Sequence, residues 1–358
     1  MSRLSREVIQ SKNWIIDGAN VSEIVKYTEK PTCDFGAMTS LICPDAVRKV
    51  HESYLTAGAD IIITNTYSVN YNVLGGSLLS QKDKCENLII DSVKLARAAV
   101  KNCGNKKSYV LGSISEHTPP GKGTDGTCFT IPDWPSSADE EIENFEKTVE
   151  VLIKQEIDGI IVEMLKTEDH GIRLLKAVNK VLKAADCKLP VFVGLVPEFK
   201  NEEKQDKAKG NFVHSPVRAI PKTATDIRFK RPVSTFSDPD YKDFDFSTEN
   251  ILKFINCLSD VEIGAIMLKH CDFEVVLPAV KILKNVWDGP IGTYPQNGYY
   301  KYAEWIAEEL DYNSIKIHLK TWIEEGLNQR WIGCRICGVR RADMHAEDAL
   351  LHYYGHRR

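Results

Sequence analysis

An α/β fold in which eight parallel strands, each followed by a helix, close into a barrel is predicted by three observations. Short runs rich in Ile and Val recur eight times, each is near-continuously apolar rather than alternating, and each leads through a polar turn into a stretch with helical spacing. Continuous hydrophobicity is what a parallel strand buried on both faces requires. An open doubly wound sheet gives a similar string, so the count of eight decides for a (β/α)8 TIM barrel. The 358 residues suit a single domain of this kind, which typically uses about 250 and tolerates insertions.

In chain order the strands are WIID (14–17), DIIITNT (60–66), YVLGSIS (109–115), DGIIVEM (158–164), PVFVGLV (190–196), GAIMLKH (264–270), PIGTYP (290–295) and RWIGC (330–334). Helices are expected over 45–57, 85–101, 139–155, 169–184, 249–258, 273–285, 299–309 and 313–325. One stretch breaks the rhythm. Residues 198–247 are rich in charge, Pro and Asp without a sustained period, which marks a long insertion after strand 5. It is either a cover over an active site at that end of the barrel or a solvated loop.

A net charge of −4, with basic residues scattered rather than striped, argues against nucleic acid as a partner. No run of about 18 apolar residues and no signal-peptide pattern is present, so a cytoplasmic protein without a membrane segment is expected. Ten cysteines in a chain of this length are then expected to be reduced. Oligomeric state is not legible.

Barrels of this kind carry their reactive groups at the C-terminal ends of the strands. Those ends hold Asp17 and Gly18, then Asn65, Ser113, Glu163, His270 with Cys271, Tyr294 with Asn297 beyond it, and Cys334. Cys334 and Cys337 form a Cys-x-x-Cys pair, which reads as a metal site, a redox pair or two buried packing residues. The pair closes a late strand rather than opening a helix, which argues against thioredoxin-like chemistry. Cys271 ends the sixth strand, one strand away around the ring, and adds weight to metal. Three thiolates with a fourth position open is a catalytic zinc arrangement. Taken alone, Glu163 either pairs with a substrate or salt-bridges a neighbouring lysine, and Asp17 either does likewise or caps a turn. Asn65, Ser113, Tyr294 and Asn297 either position a substrate or satisfy backbone groups at loop starts.

Several stretches together resemble the zinc-dependent homocysteine S-methyltransferase family, which includes selenocysteine and betaine-using members. IIDGANVSEI is similar to the family's DGG(M/L)xTEL signature, and AGADIIITNTY (57–67) to AGADIIxTNTY. VLGSIS resembles AGSxGP, IIVEM resembles IxET, and YPQNG (294–298) resembles YPNxG. HCDFEVVLPAVKIL (270–283) is similar to NCxxPxxVLPxIxxL, and GCRICGVRRADM (333–344) to GGCCGTTPEHI. The resemblance runs from about residue 14 to 350 with the insertion as its main gap.

The resemblance implies a homocysteine-binding barrel over 1–358 with Zn2+ as cofactor and an amino-acid thiol and a methyl donor as partners. It implies Cys271, Cys334 and Cys337 as metal ligands, and Asp17 and Glu163 as the catalytic carboxylates that pair with the amino acid's ammonium. Gly18, Asn65, Ser113, Tyr294 and Asn297 fall at its substrate-binding positions. Two departures stand out: Ala19 replaces a glycine where backbone approaches the amino acid, and the family's adjacent cysteines are split. Aligning Gly338 with the glycine after the pair puts Ile336 at the first family cysteine, whereas a two-residue insertion keeps Cys334 as a ligand. S-methylmethionine or S-adenosylmethionine is the expected donor and methionine the product. The alternatives are a betaine-dependent enzyme and a barrel that has lost catalysis and serves as a binding or regulatory protein. A multidomain methionine synthase, with cobalamin and folate domains, needs a far longer chain.

Overall fold

The computed structural model describes residues 4–11, 13–24, 26–28, 36–75, 82–104, 108–116, 135–200, 227–229, 244–295, 298–301, 304–307, 317–322 and 331–334. Its strands, in chain order, are β1 (Trp14–Ile16), β2 (Ile61–Ile63), β3 (Tyr109–Ser115), β4 (Gly159–Leu165), β5 (Val191–Leu195), β6 (Pro197–Phe199), β7 (Ile227–Phe229), β8 (Ile263–Lys269), β9 (Ile291–Tyr294), β10 (Gly298–Lys301), β11 (Glu304–Ala307) and β12 (Trp331–Cys334). Eight of them close a parallel barrel in the order β1, β12, β9, β8, β5, β4, β3, β2. All eight expected barrel strands are present. The ring shuts where Ile16 pairs with Ile61, and the Asp17 N–H donates to the Ile61 carbonyl at 2.8 Å.

Both faces of β3 and of β8 are buried, as their composition requires, with no exposed residue in either strand. Outward side chains such as Val110, Ile160, Val193 and Ile266 pack beneath the helices, whereas Ile16, Ile61, Leu111, Ile161, Phe192 and Met267 fill the barrel interior. The short helix Arg6–Gln10 joins that interior set through Ile9, whose carbonyl accepts from Trp14 Nε1 at 2.9 Å. A Cβ on Gly264 would lie 2.9 Å from Ile9, so a glycine there lets the helix seat against the barrel.

The surrounding helices Pro44–Thr56, Cys85–Asn102, Ala138–Ile153, Glu168–Ala184, Thr248–Asn256 and Phe273–Leu283 match the expected ones to within two residues at each end. Ser137 and Ser247 cap two of them by accepting from the backbone N–H three residues on. The helix expected over 299–309 is instead an antiparallel hairpin in which Tyr299 pairs with Ile306 and Tyr300 with Trp305. Aromatic and β-branched residues suit a pleated pairing, and that preference wins over an amphipathic helical reading of the same letters. Of the helix expected over 313–325, the described part is 317–322.

The described parts of the 198–247 insertion are anchored. β6 pairs antiparallel with β7, and Arg228 bridges to Asp245. Phe229 stacks on Phe244 with centroids 4.7 Å apart and packs on Phe246 and Phe254, fastening the insertion to helix Thr248–Asn256.

Candidate active site

The alternation of strand side chains positions the site. On β3, Tyr109 and Leu111 face the barrel interior and Ser113 follows two residues on; on β4, Ile161 is followed by Glu163; on β8, Ala265 and Met267 are followed by Lys269. All three polar residues are buried at the C-terminal end of the barrel, above the apolar interior. Ser113 Oγ donates to Glu163 Oε1 at 2.5 Å, and Lys269 Nζ forms an ion pair with Glu163 Oε2. The Lys269 ammonium lies 4.7 Å from the centre of the Tyr294 ring, a cation–π distance.

Two backbone features aim these groups. Val162 pairs with Val193 and Leu165 with Leu195, so Glu163 and Met164 together oppose Gly194 on the neighbouring strand. That is a β-bulge, and it leaves Met164 at φ 62°. A left-handed conformation costs a non-glycine residue roughly 1–2 kcal/mol, so the strain sits beside the site's central carboxylate. Gly194 supplies the second feature. A Cβ there would lie 3.0 Å from Lys269 Cδ and 2.9 Å from the Val162 carbonyl, so the missing side chain lets Lys269 cross β5 to reach Glu163.

The other candidates are placed as follows. Asp17 is fully buried and accepts the Ile63 N–H at 2.9 Å, a clamp between the first two strands. Gly18 faces Tyr54, whose hydroxyl would stand 2.7 Å from an added Cβ and donates to the Ala19 carbonyl at 3.1 Å. The Asn65 amide donates to Thr39 Oγ1 at 2.7 Å and to the Gly36 carbonyl at 3.2 Å, which fastens the 36–40 segment to the end of β2. Thr66 donates to the Ser113 carbonyl and Thr64 accepts the Ser113 N–H, locking β2 to β3 just where Ser113 turns inward.

Cys271 is buried two residues beyond β8, following His270 at φ 48°. The strand has ended by then, so His270 no longer obeys the strict alternation expected of a strand. Its N–H donates to the Tyr294 carbonyl and its ring stands 5.4 Å from that of Tyr294. Cys334 closes β12 in register with Ile16, and β9 alone separates β12 from β8. The topology therefore carries the backbones of Cys271 and Cys334 to one rim of the barrel, one strand apart. Cys337 and Asn297 lie outside the described residues, and no cluster of three or more metal-binding side chains occurs among the described ones.

Two residues of this rim escape a reading of the sequence. Lys269 lies within the run GAIMLKH (264–270), where nothing in the letters marks its charge as part of a site. Glu116 follows β3, and its carboxyl is buried and accepts the N–H groups of Lys166 and Thr167 at 3.2 Å. Burial pushes its pKa up from 4.5 to about 7, against the pull of Lys166, His170 and these backbone donors. Nearby, Glu141 accepts from Arg173 at 2.7 Å and from His170, and these partners hold its pKa below the usual value despite the opposing effect of burial.

A family model described as homocysteine S-methyltransferase matches residues 14–228. This chain belongs to the homocysteine S-methyltransferase family. It is 30% identical over 180 residues to a betaine-homocysteine S-methyltransferase of Drosophila melanogaster, an alignment covering 44% of this chain and 53% of that protein. It is 34% identical over 77 residues to a methionine synthase of Mycobacterium tuberculosis, covering 21% of this chain and 6% of that one. The chain thus aligns with about half the length of the first of these relatives and a small part of the second. Among solved structures, the metallated form of the homocysteine methyltransferase MmuM from Escherichia coli superposes with a TM-score of 0.61 at 18% identity, over 97% of this chain and 99% of that one. At that identity the likeness is one of fold. No helix among the described residues is long and apolar enough to cross a membrane.

Proposed function

We propose that this barrel transfers a methyl group to the thiol of homocysteine, giving methionine, in a zinc-dependent reaction in the cytosol. The observation that carries the reading is the placement, in a chain of this family, of Cys271 and Cys334 at strand ends one strand apart, on the same rim as the buried Glu163. Cys271, Cys334 and Cys337 would hold the metal; soft thiolate donors at the open end of a barrel fit zinc. A free thiol is largely protonated near neutral pH, with a reference pKa of about 8.5, and zinc when bound supplies the deprotonated sulfur that substitution requires.

The chain's own groups then bind and orient. Glu163, held by Ser113, pairs with the amino acid's ammonium, while Tyr294 walls the site. Asp17 supports the rim by fixing β1 to β2 and lends its charge to the same end of the barrel. The methyl donor is S-methylmethionine or S-adenosylmethionine. The new bond joins acceptor sulfur to methyl carbon, the bond from that carbon to the donor's sulfonium sulfur breaks, and its electron pair leaves a neutral thioether. Betaine is the second donor reading, favoured by the Drosophila melanogaster relative. A barrel without catalysis is favoured by Ala19 at the strand-one glycine position and by the split cysteines.

Methionine formation from L-homocysteine, assayed with each donor in turn on zinc-loaded, chelated and zinc-restored protein, separates these readings. Turnover with a sulfonium donor that chelation abolishes and zinc restores is expected. Bound zinc without turnover under any donor would favour the binding protein.

A further inference from the structure

Lys269 is 2% exposed, and among the described residues its only carboxylate partner is Glu163. An ammonium carries three donors, and a buried ion pair is by itself weak evidence of a gain in stability. Something else has to account for a lysine where the same strand places Ala265 and Met267 at the two preceding inward positions. Its surroundings are shaped for it: Gly194 leaves room for its stem, the Tyr294 ring lies under its charge, and the bulge at Glu163 and Met164 brings up its partner. The result is a plus and a minus side by side in the top interior layer of the barrel. An amino acid zwitterion carries the complementary pair, with ammonium and carboxylate one carbon apart.

We propose that Lys269 is a substrate-binding residue that receives the α-carboxylate of the acceptor amino acid while Glu163 receives its ammonium. The assignment rests on the homocysteine reading above and deepens it.

Calorimetric titration of the full zinc-loaded chain with L-homocysteine and with 3-aminopropane-1-thiol, the same molecule without its carboxylate, tests this. The unaltered protein should prefer homocysteine by about tenfold or more, the size of one charge-assisted hydrogen bond. In Lys269→Met that preference should vanish because homocysteine weakens, with the amine thiol bound as before or more tightly to the freed Glu163. A Glu163→Gln/Lys269→Met variant, which leaves no lone buried charge, should show the same loss of preference if the single variant does not fold. Equal affinity of the unaltered protein for the two thiols, or a Lys269→Met variant that weakens both alike, would overturn the role of Lys269 while leaving the homocysteine site standing. Failure of the unaltered protein to bind either thiol would instead remove the homocysteine reading and this assignment with it.

Discussion

The lower and upper halves of the barrel interior are built on the same strands and the same inward faces, yet they do different work. Below lie Ile16, Ile61, Leu111, Ile161, Phe192 and Met267, closed off by Ile9 of the N-terminal helix. Two residues further along, Leu111 gives way to Ser113, Ile161 to Glu163 and Met267 to Lys269. The lower layer is apolar, with one register shift of its own where Phe192 of β5 meets β8. The upper layer holds a buried ion pair, a bulge and Met164 and His270 at positive φ. A single pleat step thus separates packing that stabilises the fold from polar groups whose burial costs stability and whose arrangement suits an amino-acid ligand.

The contrast can be broken from either side. The largest effect belongs to the lower layer: Phe192→Ala, at a fully buried ring, should cost about 3–5 kcal/mol in urea unfolding while leaving homocysteine affinity per folded molecule unchanged. In the upper layer, Glu163→Leu/Lys269→Met replaces the pair with apolar groups of similar size. It should leave stability equal or raise it by roughly 1–4 kcal/mol while abolishing methyl transfer, and a large loss of stability would mean that the pair holds the barrel together.

The smallest effect lies at the edge of the site. The Glu116 carboxyl binds its proton more tightly folded, at about 7, than at its ordinary 4.5. Its contribution is therefore fully present below about pH 4.5 and is lost as pH rises toward 7. His51 acts in the opposite sense: burial lowers its pKa from 6.5 to about 4, so its contribution is lost as pH falls through that range. Glu116→Gln keeps an acceptor for the Lys166 and Thr167 N–H groups and removes only the first slope. The stability difference between variant and unaltered protein should grow in the variant's favour from pH 4.5 to 7, and a constant difference would mean that Glu116 does not titrate there.

Much of this was legible in the letters. Eight apolar runs gave the barrel strands because strands covered on both faces have no solvent side to record, and the six helices that pack over them carry clear amphipathic stripes. Glu163 and Cys271 could be placed because strand ends are where the chemistry of such barrels sits. What escaped depends on partners distant in the chain. The bulge at Met164 exists only against the register of β5, and Lys269 is one charge within a strand until Gly194 lets it cross to Glu163. Asn65 has its amide engaged by Thr39 and Gly36 across a loop that no periodicity foretells. The 298–307 hairpin reads as a helix in the sequence because Tyr, Trp, Ala and Glu at that spacing satisfy a helical stripe as well as a pleat.

X-ray absorption at the zinc edge, recorded on the full chain with one equivalent of zinc before and after L-homocysteine, bears most directly on the claim that the upper rim holds an acceptor thiol on a cysteine-bound metal. Three sulfur neighbours at about 2.3 Å, rising to four when homocysteine is added, are expected. Fewer than three sulfurs at the outset, or a shell that homocysteine leaves unchanged, would contradict it.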